Sequence, residues 1–225
     1  MEVGQHGDFI MDYFDAENHF YLHSEINRIG KFVAHSRLYE MTVGIPGHFV
    51  EIGVFKGASF CRFRKLGRLF HPDHYRSFLG FDVFSKFPEA DYEADRKLLQ
   101  DMNKISGEHS INDEDLMNIL AEQGLDQNVE LIKGDIRKTL PNYLNDHQEM
   151  TFSCVNIDVD LYEPIRVAME NIFPLVVSGG IIMIDDYEGF PGAKKAVDDY
   201  LREQNRPEKI EKLPFAFSPC HIVKQ

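Results

Sequence analysis

Two groups of aspartates follow two separate apolar segments in the C-terminal half of the chain. Asp158 and Asp160 follow the strand-like segment Phe152–Ile157, and the adjacent Asp185 and Asp186 follow a second apolar segment. Ionised carboxylates at close range raise one another's energy, and a bound divalent cation relieves this. Because every ligand would be an oxygen, Mg²⁺ is favoured over Zn²⁺. We predict Asp158, Asp185 and Asp186 as metal ligands. The alternative is that these acids cap strand ends and helix N-termini, and the role of Asp160 stays open.

A glycine-containing turn follows the first strand-like segment, and a helix-like segment follows the turn. Two glycines there allow a ligand to approach the backbone closely, and a helix N-terminus offers free N–H groups. The dinucleotide fingerprint is not met, because Glu51 stands where the first glycine would be. A carboxylate suits a ligand with positive charge or hydroxyls. We predict cofactor contacts from Glu51, Gly53, Gly57 and Ser59, although a plain tight turn explains the same residues.

Single acids follow the next two strand-like segments. Asp82 is placed to hold ribose hydroxyls, and Asp135, followed by Ile136, is placed to meet an exocyclic amine. A turn or N-cap role for Asp82 and an ordinary Asx turn at Asp135 are the alternatives. Together with Glu51, these acids indicate a nucleoside ligand that needs no phosphate binding. S-adenosylmethionine fits, with S-adenosylhomocysteine as its product.

The elements that must position these residues alternate between strands and helices, which is typical of an α/β fold with a doubly wound, mostly parallel, Rossmann-like sheet. Helices are predicted for 22–41, with Ile26, Ile29, Val33 and Leu38 on one face, and for 58–70, 164–175 and 191–201. Weaker helical patterns cover 92–102 and 113–123. Strands are predicted for 48–53, 78–82, 129–132, 152–157, a segment after Gly180, 210–213 and 221–223.

The length and spacing indicate a single domain over residues 1–225, with an N-terminal arm and helix at 1–44. More than forty residues separate Asp82 from Val129, where a crossover helix needs only about a dozen. We predict that 83–128 is an inserted lid over the site; a surface insertion is the alternative.

Composition excludes several classes of function. The formal net charge of −13 argues against a nucleic-acid binder, and no apolar segment is long enough to span a bilayer. The chain opens with a polar, acidic segment rather than a signal peptide. Its three cysteines are widely spaced, and Cys154 lies in an apolar strand pattern that predicts a buried thiol. We expect a reduced, cytoplasmic setting.

At these residues the chain resembles the macrocin O-methyltransferase family of Mg²⁺-dependent sugar O-methyltransferases. The resemblance runs from about Ile45 to Leu201 and is most specific at 157–163, 185–187 and 191–198. It implies a seven-stranded methyltransferase sheet with an antiparallel last strand, cofactor contacts from Glu51, Gly53, Asp82 and Asp135, and a metal at Asp158, Asp185 and Asp186. It also implies a sugar hydroxyl as acceptor and a homo-oligomer. The chain departs from the family at Phe55-Lys56 and over 83–88.

The chemistry expected from this resemblance is methyl transfer to a hydroxyl, with Asp158 as the base that removes the proton. His109 is a second choice of base, and a surface histidine is its alternative interpretation. Three other functions stay open: a metal-dependent nucleotide-sugar glycosyltransferase, a catechol or phenol O-methyltransferase, and a non-catalytic binding domain.

Overall fold

The computed structural model describes residues 12–70, 76–87 and 90–225. Its helices are α1 Tyr13–His23, α2 Ile26–Glu40, α3 Ala58–Phe70, α4 Glu93–Ser106, α5 Asp113–Glu122, α6 Ile136–Asp146, α7 Tyr162–Ile172 and α8 Pro191–Glu203. A short 3₁₀ helix, Phe173–Leu175, follows α7. The strands are β1 His48–Ile52, β2 Phe78–Asp82, β3 Val129–Lys133, β4 Phe152–Ile157, β5 Val176–Ile184, β6 Glu211–Lys212 and β7 Cys220–Val223.

The seven strands form one sheet in the order β3-β2-β1-β4-β5-β7-β6. The strands β1 to β5 pair in parallel, and β7 runs antiparallel to both β5 and β6. The chain winds outward from β1 to β3 on one side and from β4 to β5 on the other, so the strand order reverses between β1 and β4. The predicted doubly wound, Rossmann-like α/β fold with an antiparallel end is confirmed.

Consecutive residues of the central strands point to opposite faces of the sheet, and most of them are apolar. Helices therefore cover both faces of the sheet. Phe49 of β1 packs with the cluster that includes Leu38, Phe60 and Leu116, from α2, α3 and α5. The adjacent Val50 packs with the opposite cluster, which contains residues of α6, α7 and α8. This three-layer packing fixes the strand ends that carry the predicted site. Cys154 is fully buried and free, as predicted.

The N-terminal helical region differs from the prediction. The chain forms two helices separated at Ser24, where the backbone is extended, rather than one helix over 22–41. The predicted apolar face is wrong for Ile26, which is 80% exposed, and for Val33, which is 42% exposed. Leu38 is buried, as predicted, and the other buried residues of α2 are Ala34, His35 and Tyr39. The part of the predicted arm at 1–11 lies outside the described residues.

The predicted insertion at 83–128 contains two helices with different surroundings. Leu116 and Leu120 of α5 are buried in the core, so α5 is the crossover helix between β2 and β3. The additional element is α4, whose buried Asp95 accepts hydrogen bonds from the backbone N–H groups of Gly192 at 2.9 Å and Tyr162 at 3.2 Å. Asp95 thereby joins α4 to the first turns of α8 and α7. Whether α4 acts as a lid stays a prediction.

One helix was not predicted. Asp135 caps α6 by accepting a hydrogen bond from the backbone N–H of Arg137. Pro141 inside this helix obscured the pattern, because proline usually ends a helix. None of the helices in the described ranges has the length and apolar character needed to cross a membrane.

Candidate active site

Three aspartates meet at the C-terminal ends of β4 and β5. The strands are parallel neighbours in which Ile157 pairs with Ile184, and the backbone N–H of Asp185 donates to the carbonyl oxygen of Ile157 at 3.0 Å. This register places the residues that follow the two strands side by side. One carboxylate oxygen from each of Asp158, Asp185 and Asp186 lies within 4.8 Å of the others. The sequence-predicted ligand set is therefore brought together in space.

The donor set of this cluster fits a small divalent cation. All three side chains are partly buried, and all offer oxygen, the donor that Mg²⁺ and Ca²⁺ prefer. Among the described residues, Asp185 Oδ1 is buried without a hydrogen-bond partner. An ammonium group, that of Lys31, already lies 2.6 Å from Asp185 Oδ2. The position therefore favours positive charge and leaves ligand capacity unused.

The electrostatics of the cluster favour a bound positive charge. Burial, followed by the nearby charge of Asp185, raises the pKa of Asp158 to about 6. Burial and the charge of Asp158 raise the pKa of Asp160 to about 7. Burial and the charge of Asp160 hold the pKa of Asp186 well above its ordinary value. Carboxyl groups this close resist ionisation, and a cation among them would reverse that effect.

Asp160 supports the cluster through its backbone. Its φ of 60° lies in the left-handed region, and its N–H donates to Asp186 Oδ2 at 3.1 Å. Asp is among the few residues that tolerate this conformation. Asp160 thus helps to hold Asp186 in place.

Helix α2 contributes two residues that sequence reasoning missed. Lys31 and His35 lie one turn apart and both reach the aspartates. Lys31 Nζ is 2.6 Å from Asp185 Oδ2 and 3.4 Å from Asp158 Oδ2. His35 Nε2 is 4.0 Å from Asp185 Oδ1. The only signal in the sequence was two basic residues at i and i+4 of a predicted helix, a spacing that also occurs on solvated faces.

The hydrogen bond to Nδ1 of the ring defines the tautomer of His35. Arg62 Nη1 lies 3.0 Å from His35 Nδ1. A guanidinium can only donate, so Nδ1 accepts and the ring hydrogen is on Nε2. Burial, with the charges of Lys31 and Arg62, lowers the pKa of His35 well below its ordinary value. The neutral ring therefore places an N–H next to Asp185.

Glu51 lies at the end of β1 and is fully buried. Asn156 Nδ2 donates to Glu51 Oε1 at 2.7 Å, and within the described ranges Glu51 Oε2 has no hydrogen-bond partner. Burial raises the pKa of Glu51 to about 8, and the nearby Ser59 and Asn156 side chains limit the rise. A buried acid with an unused oxygen can accept a hydrogen bond from a ligand's ammonium group, and the cofactor contact of Glu51 stays a prediction. Ser59 is in the first turn of α3.

Gly53 connects the end of β1 to the aspartate cluster. Its φ is +92°, and a Cβ on it would lie 1.9 Å from the carbonyl oxygen of Asp158. Gly57, with φ of +80°, closes the same turn, and a Cβ there would lie 2.9 Å from Leu116 Cδ1. Gly53 therefore requires glycine for conformation and for space, whereas Gly57 favours glycine mainly for its positive φ.

Asp82 lies at the end of β2, as predicted, but its oxygens bind the protein's own backbone. Oδ2 accepts from the N–H groups of Val54 and Phe55, both at 2.9 Å, and Oδ1 accepts from Phe84 at 2.8 Å. Asp82 therefore ties the turn after β1 to the end of β2. A carboxylate oxygen can accept a further hydrogen bond, and contact with ribose stays a prediction.

Asp135 makes the Asx turn that was its alternative interpretation, because its Oδ1 accepts from the backbone N–H of Arg137 at 3.0 Å, and it is thereby the N-cap of α6. It is ion-paired with Arg137 at 2.8 Å, and hydrogen bonding from Arg137 lowers its pKa. Ile136 begins α6, and its side chain is buried in the core. His109 is exposed in the segment between α4 and α5, where its backbone forms an isolated antiparallel β-bridge with Lys86. The predicted cofactor contacts of Asp135 and Ile136 stay predictions.

Comparison with models of known protein families identifies the family of this chain. The family model described as Macrocin-O-methyltransferase (TylF) matches residues 34–216, most of the chain. The chain belongs to the macrocin-O-methyltransferase family. The match includes every strand from β1 to β6 and all three aspartates, so the resemblance noted in the sequence is confirmed.

Two curated O-methyltransferases are similar to the chain. The demethyldecarbamoylnovobiocin O-methyltransferase of Streptomyces niveus is 31% identical over 160 residues, which are 69% of this chain and 58% of that protein. The 8-demethyl-8-(2,3-dimethoxy-alpha-L-rhamnosyl)-tetracenomycin-C 4'-O-methyltransferase of Streptomyces olivaceus is 32% identical over 174 residues, 76% of this chain and 64% of that protein. The match thus spans about three fifths of the length of these relatives.

Solved structures share the fold of this family member. The O-methyltransferase NovP superposes with a TM-score of 0.75 at 24% identity, over 86% of this chain and 79% of that one. CalS11, a calicheamicin methyltransferase, gives a TM-score of 0.77 at 23% identity, over 96% and 87% of the two chains. These structures support the sheet topology described above.

Proposed function

We propose that this protein is an S-adenosylmethionine-dependent O-methyltransferase that uses a divalent cation, Mg²⁺, and methylates a hydroxyl of a sugar or a glycosylated small molecule. One observation carries the proposal. Asp158, Asp185 and Asp186 converge where the strand order reverses, next to the turn that holds Glu51 and Gly53. In open α/β sheets, ligands bind at this crevice. A cation and a nucleoside with a sulfonium would therefore be held side by side.

The acceptor class is supported by the relatives. One curated relative is named as a 4'-O-methyltransferase of a rhamnosyl tetracenomycin C derivative, and the other as the O-methyltransferase of demethyldecarbamoylnovobiocin. A phenol or catechol acceptor is the second choice, since the same metal chemistry would serve it. A nucleotide-sugar glycosyltransferase is disfavoured, because the buried acid Glu51 lies in the turn where a diphosphate would bind and offers no positive charge.

The roles of the chain's own residues follow from their positions. Glu51 would accept hydrogen bonds from the cofactor's ammonium group, and Gly53 would let the cofactor approach the backbone. Asp158, Asp185 and Asp186 would hold the cation, which when bound polarises an acceptor hydroxyl and stabilises its deprotonated form. We assign Asp158 as the base that takes the hydroxyl proton on a carboxylate oxygen. Holding both reactants at one strand edge favours in-line transfer through orientation.

Homo-oligomerisation and a cytoplasmic location stay predictions. Helix α1 has no buried residue, and Tyr13 and Phe14 are 97% and 72% exposed. Its exposed aromatic side chains are available to a second copy or to an acceptor. Sedimentation of the chain with and without residues 1–24 would distinguish these uses, because only the first changes the mass of the assembly.

The proposal is tested by comparing wild type with Asp185→Asn, a change that keeps shape and removes a ligand charge. We expect the wild type, with S-adenosylmethionine, Mg²⁺ and a panel of glycosides, to give a product one methylene unit heavier by mass spectrometry. We expect Asp185→Asn or a chelator to abolish that product, while S-adenosylhomocysteine affinity changes by less than about tenfold, or about 1.4 kcal/mol.

The control is Asp146→Asn, the same change on an exposed residue at the end of α6. It should leave product formation and binding unchanged. Absence of S-adenosylhomocysteine binding by the wild type would reject the methyltransferase assignment. Full activity of Asp185→Asn in the presence of chelator would reject the metal requirement and leave the methyltransferase assignment intact. A thermal shift with UDP or GDP but not with S-adenosylhomocysteine would favour the glycosyltransferase.

A further inference from the structure

Lys31 carries its ammonium group into the aspartate cluster from a different part of the chain. Its Nζ lies 2.6 Å from Asp185 Oδ2 and 3.4 Å from Asp158 Oδ2. Its side chain is only 20% exposed. Lys31 is therefore an ammonium ion bound to two of the three proposed metal ligands.

The same oxygens cannot serve Lys31 and a divalent cation equally well. A cation bound to Asp185 Oδ2 would lie about 2.0–2.4 Å from that oxygen. The Lys31 nitrogen, at 2.6 Å from the same atom, would be less than 5 Å from the ion by the triangle inequality. Two positive charges at this distance repel each other, and the screening by water is weak in a partly buried site.

The rest of the site supplies little other positive charge to this cluster. Arg62 donates to Nδ1 of His35, so the imidazole ring carries a single N–H hydrogen and no charge, and the Arg62 guanidinium is directed at that nitrogen. Among the described residues, Lys31 is the cationic side chain that forms ion pairs with Asp158 and Asp185. Lysine is suited to leaving, because its flexible stem can move the ammonium into solvent at small cost.

We propose that Lys31 is an internal counter-cation that holds the aspartates together in the metal-free protein and competes with the divalent ion for them. Binding of the ion displaces the Lys31 ammonium from Asp185, and loss of the ion allows it to return. The inference rests on the metal site of the proposed function. The affinity of the site for metal then depends on competition between the divalent ion and the Lys31 ammonium for the same carboxylates.

The test compares wild type with Lys31→Met, which keeps most of the stem and removes the charge. Proteins are stripped with chelator, and MgCl₂ and MnCl₂ are titrated by calorimetry. We expect Lys31→Met to bind each metal at least about tenfold more tightly, because the competing charge is gone. We expect metal-free Lys31→Met to melt at a lower temperature than metal-free wild type, and to gain more from added metal.

Two further variants keep the test decisive if the stripped Lys31→Met protein is hard to handle. Lys31→Arg retains a cation and should bind metal no more tightly than the wild type. Lys138→Met makes the same change at an exposed position of α6 and should bind metal as the wild type does. If the wild type binds metal and Lys31→Met binds it equally or more weakly, the competing role of Lys31 is overturned and the metal site stands. No metal binding by either protein would overturn the metal site itself.

Discussion

The carboxylate of Asp95 occupies the space that a side chain at Gly192 would need. An ideal Cβ on Gly192 would lie 1.8 Å from Asp95 Oδ2, while the Gly192 N–H donates to Asp95 Oδ1 at 2.9 Å. Asp95 is fully buried and also accepts from the N–H of Tyr162. One acid of the insertion thus stabilises the first turns of the two helices that follow β4 and β5.

We predict strong coupling between these two positions. Gly192→Ala should lower the free energy of unfolding by about 1–3 kcal/mol through overpacking, and Asp95→Ala by a similar amount through lost hydrogen bonds. The double variant should lose clearly less than the sum, because the clash disappears with the carboxylate. Urea unfolding of the four proteins measures this. Gly44→Ala, where a Cβ meets nothing within 4 Å, is the control; additive losses would contradict the contact.

Glu51 should make the free energy of unfolding depend on pH, and a glutamine at this position should remove that contribution. Its pKa is about 8 when folded against an ordinary value of 4.5, so between these values the folded state binds more protons than the unfolded state. Stability contributed by Glu51 is then complete below about pH 4.5 and is lost as pH rises toward 8.

The measurement compares wild type with Glu51→Gln by urea unfolding from pH 5 to 8.5, without metal or cofactor. Glu51→Gln should gain stability relative to wild type as the pH rises, and the difference should level off above about pH 8. Other groups titrate in both proteins and cancel. Parallel stability curves would show that Glu51 is already ionised in the folded protein.

Asp82 should affect both folding and cofactor binding. Asp82→Ala removes the acceptor for three backbone N–H groups, so we expect a loss of about 1–3 kcal/mol in unfolding free energy. Calorimetry well below the melting temperature should also show weaker S-adenosylhomocysteine binding. Asp146→Ala, on the exposed end of α6, should change neither quantity. Unchanged affinity with lowered stability would restrict Asp82 to holding the turn.

The sequence predicted the sheet and its acids because both depend on local patterns. Strands β2 and β4 were predicted with their observed ends, since each is a mostly apolar segment that ends in an acid or just before one. The meeting of Asp158 with Asp185 followed from the rule that parallel strands end at a common edge.

The roles of Lys31 and His35 could not be predicted, because they depend on how α2 is rotated against the sheet. Apolar residues at Ile26 and Val33 indicated the wrong buried face, and the buried face contains a histidine. Similarly, the type and position of Asp82 indicated a ligand contact, whereas its three backbone donors come from loops whose paths are set by tertiary packing.

The close approach of Gly53 to the carbonyl of Asp158 has a consequence for how such an enzyme can change its acceptor. Main-chain atoms join the turn proposed for the methyl donor to the strand end proposed for the metal, with no room for even one methyl group between them. The spacing of donor and acceptor oxygen would then be a property of the backbone. Surrounding loops could diversify toward new glycosides while the transfer distance is inherited unchanged.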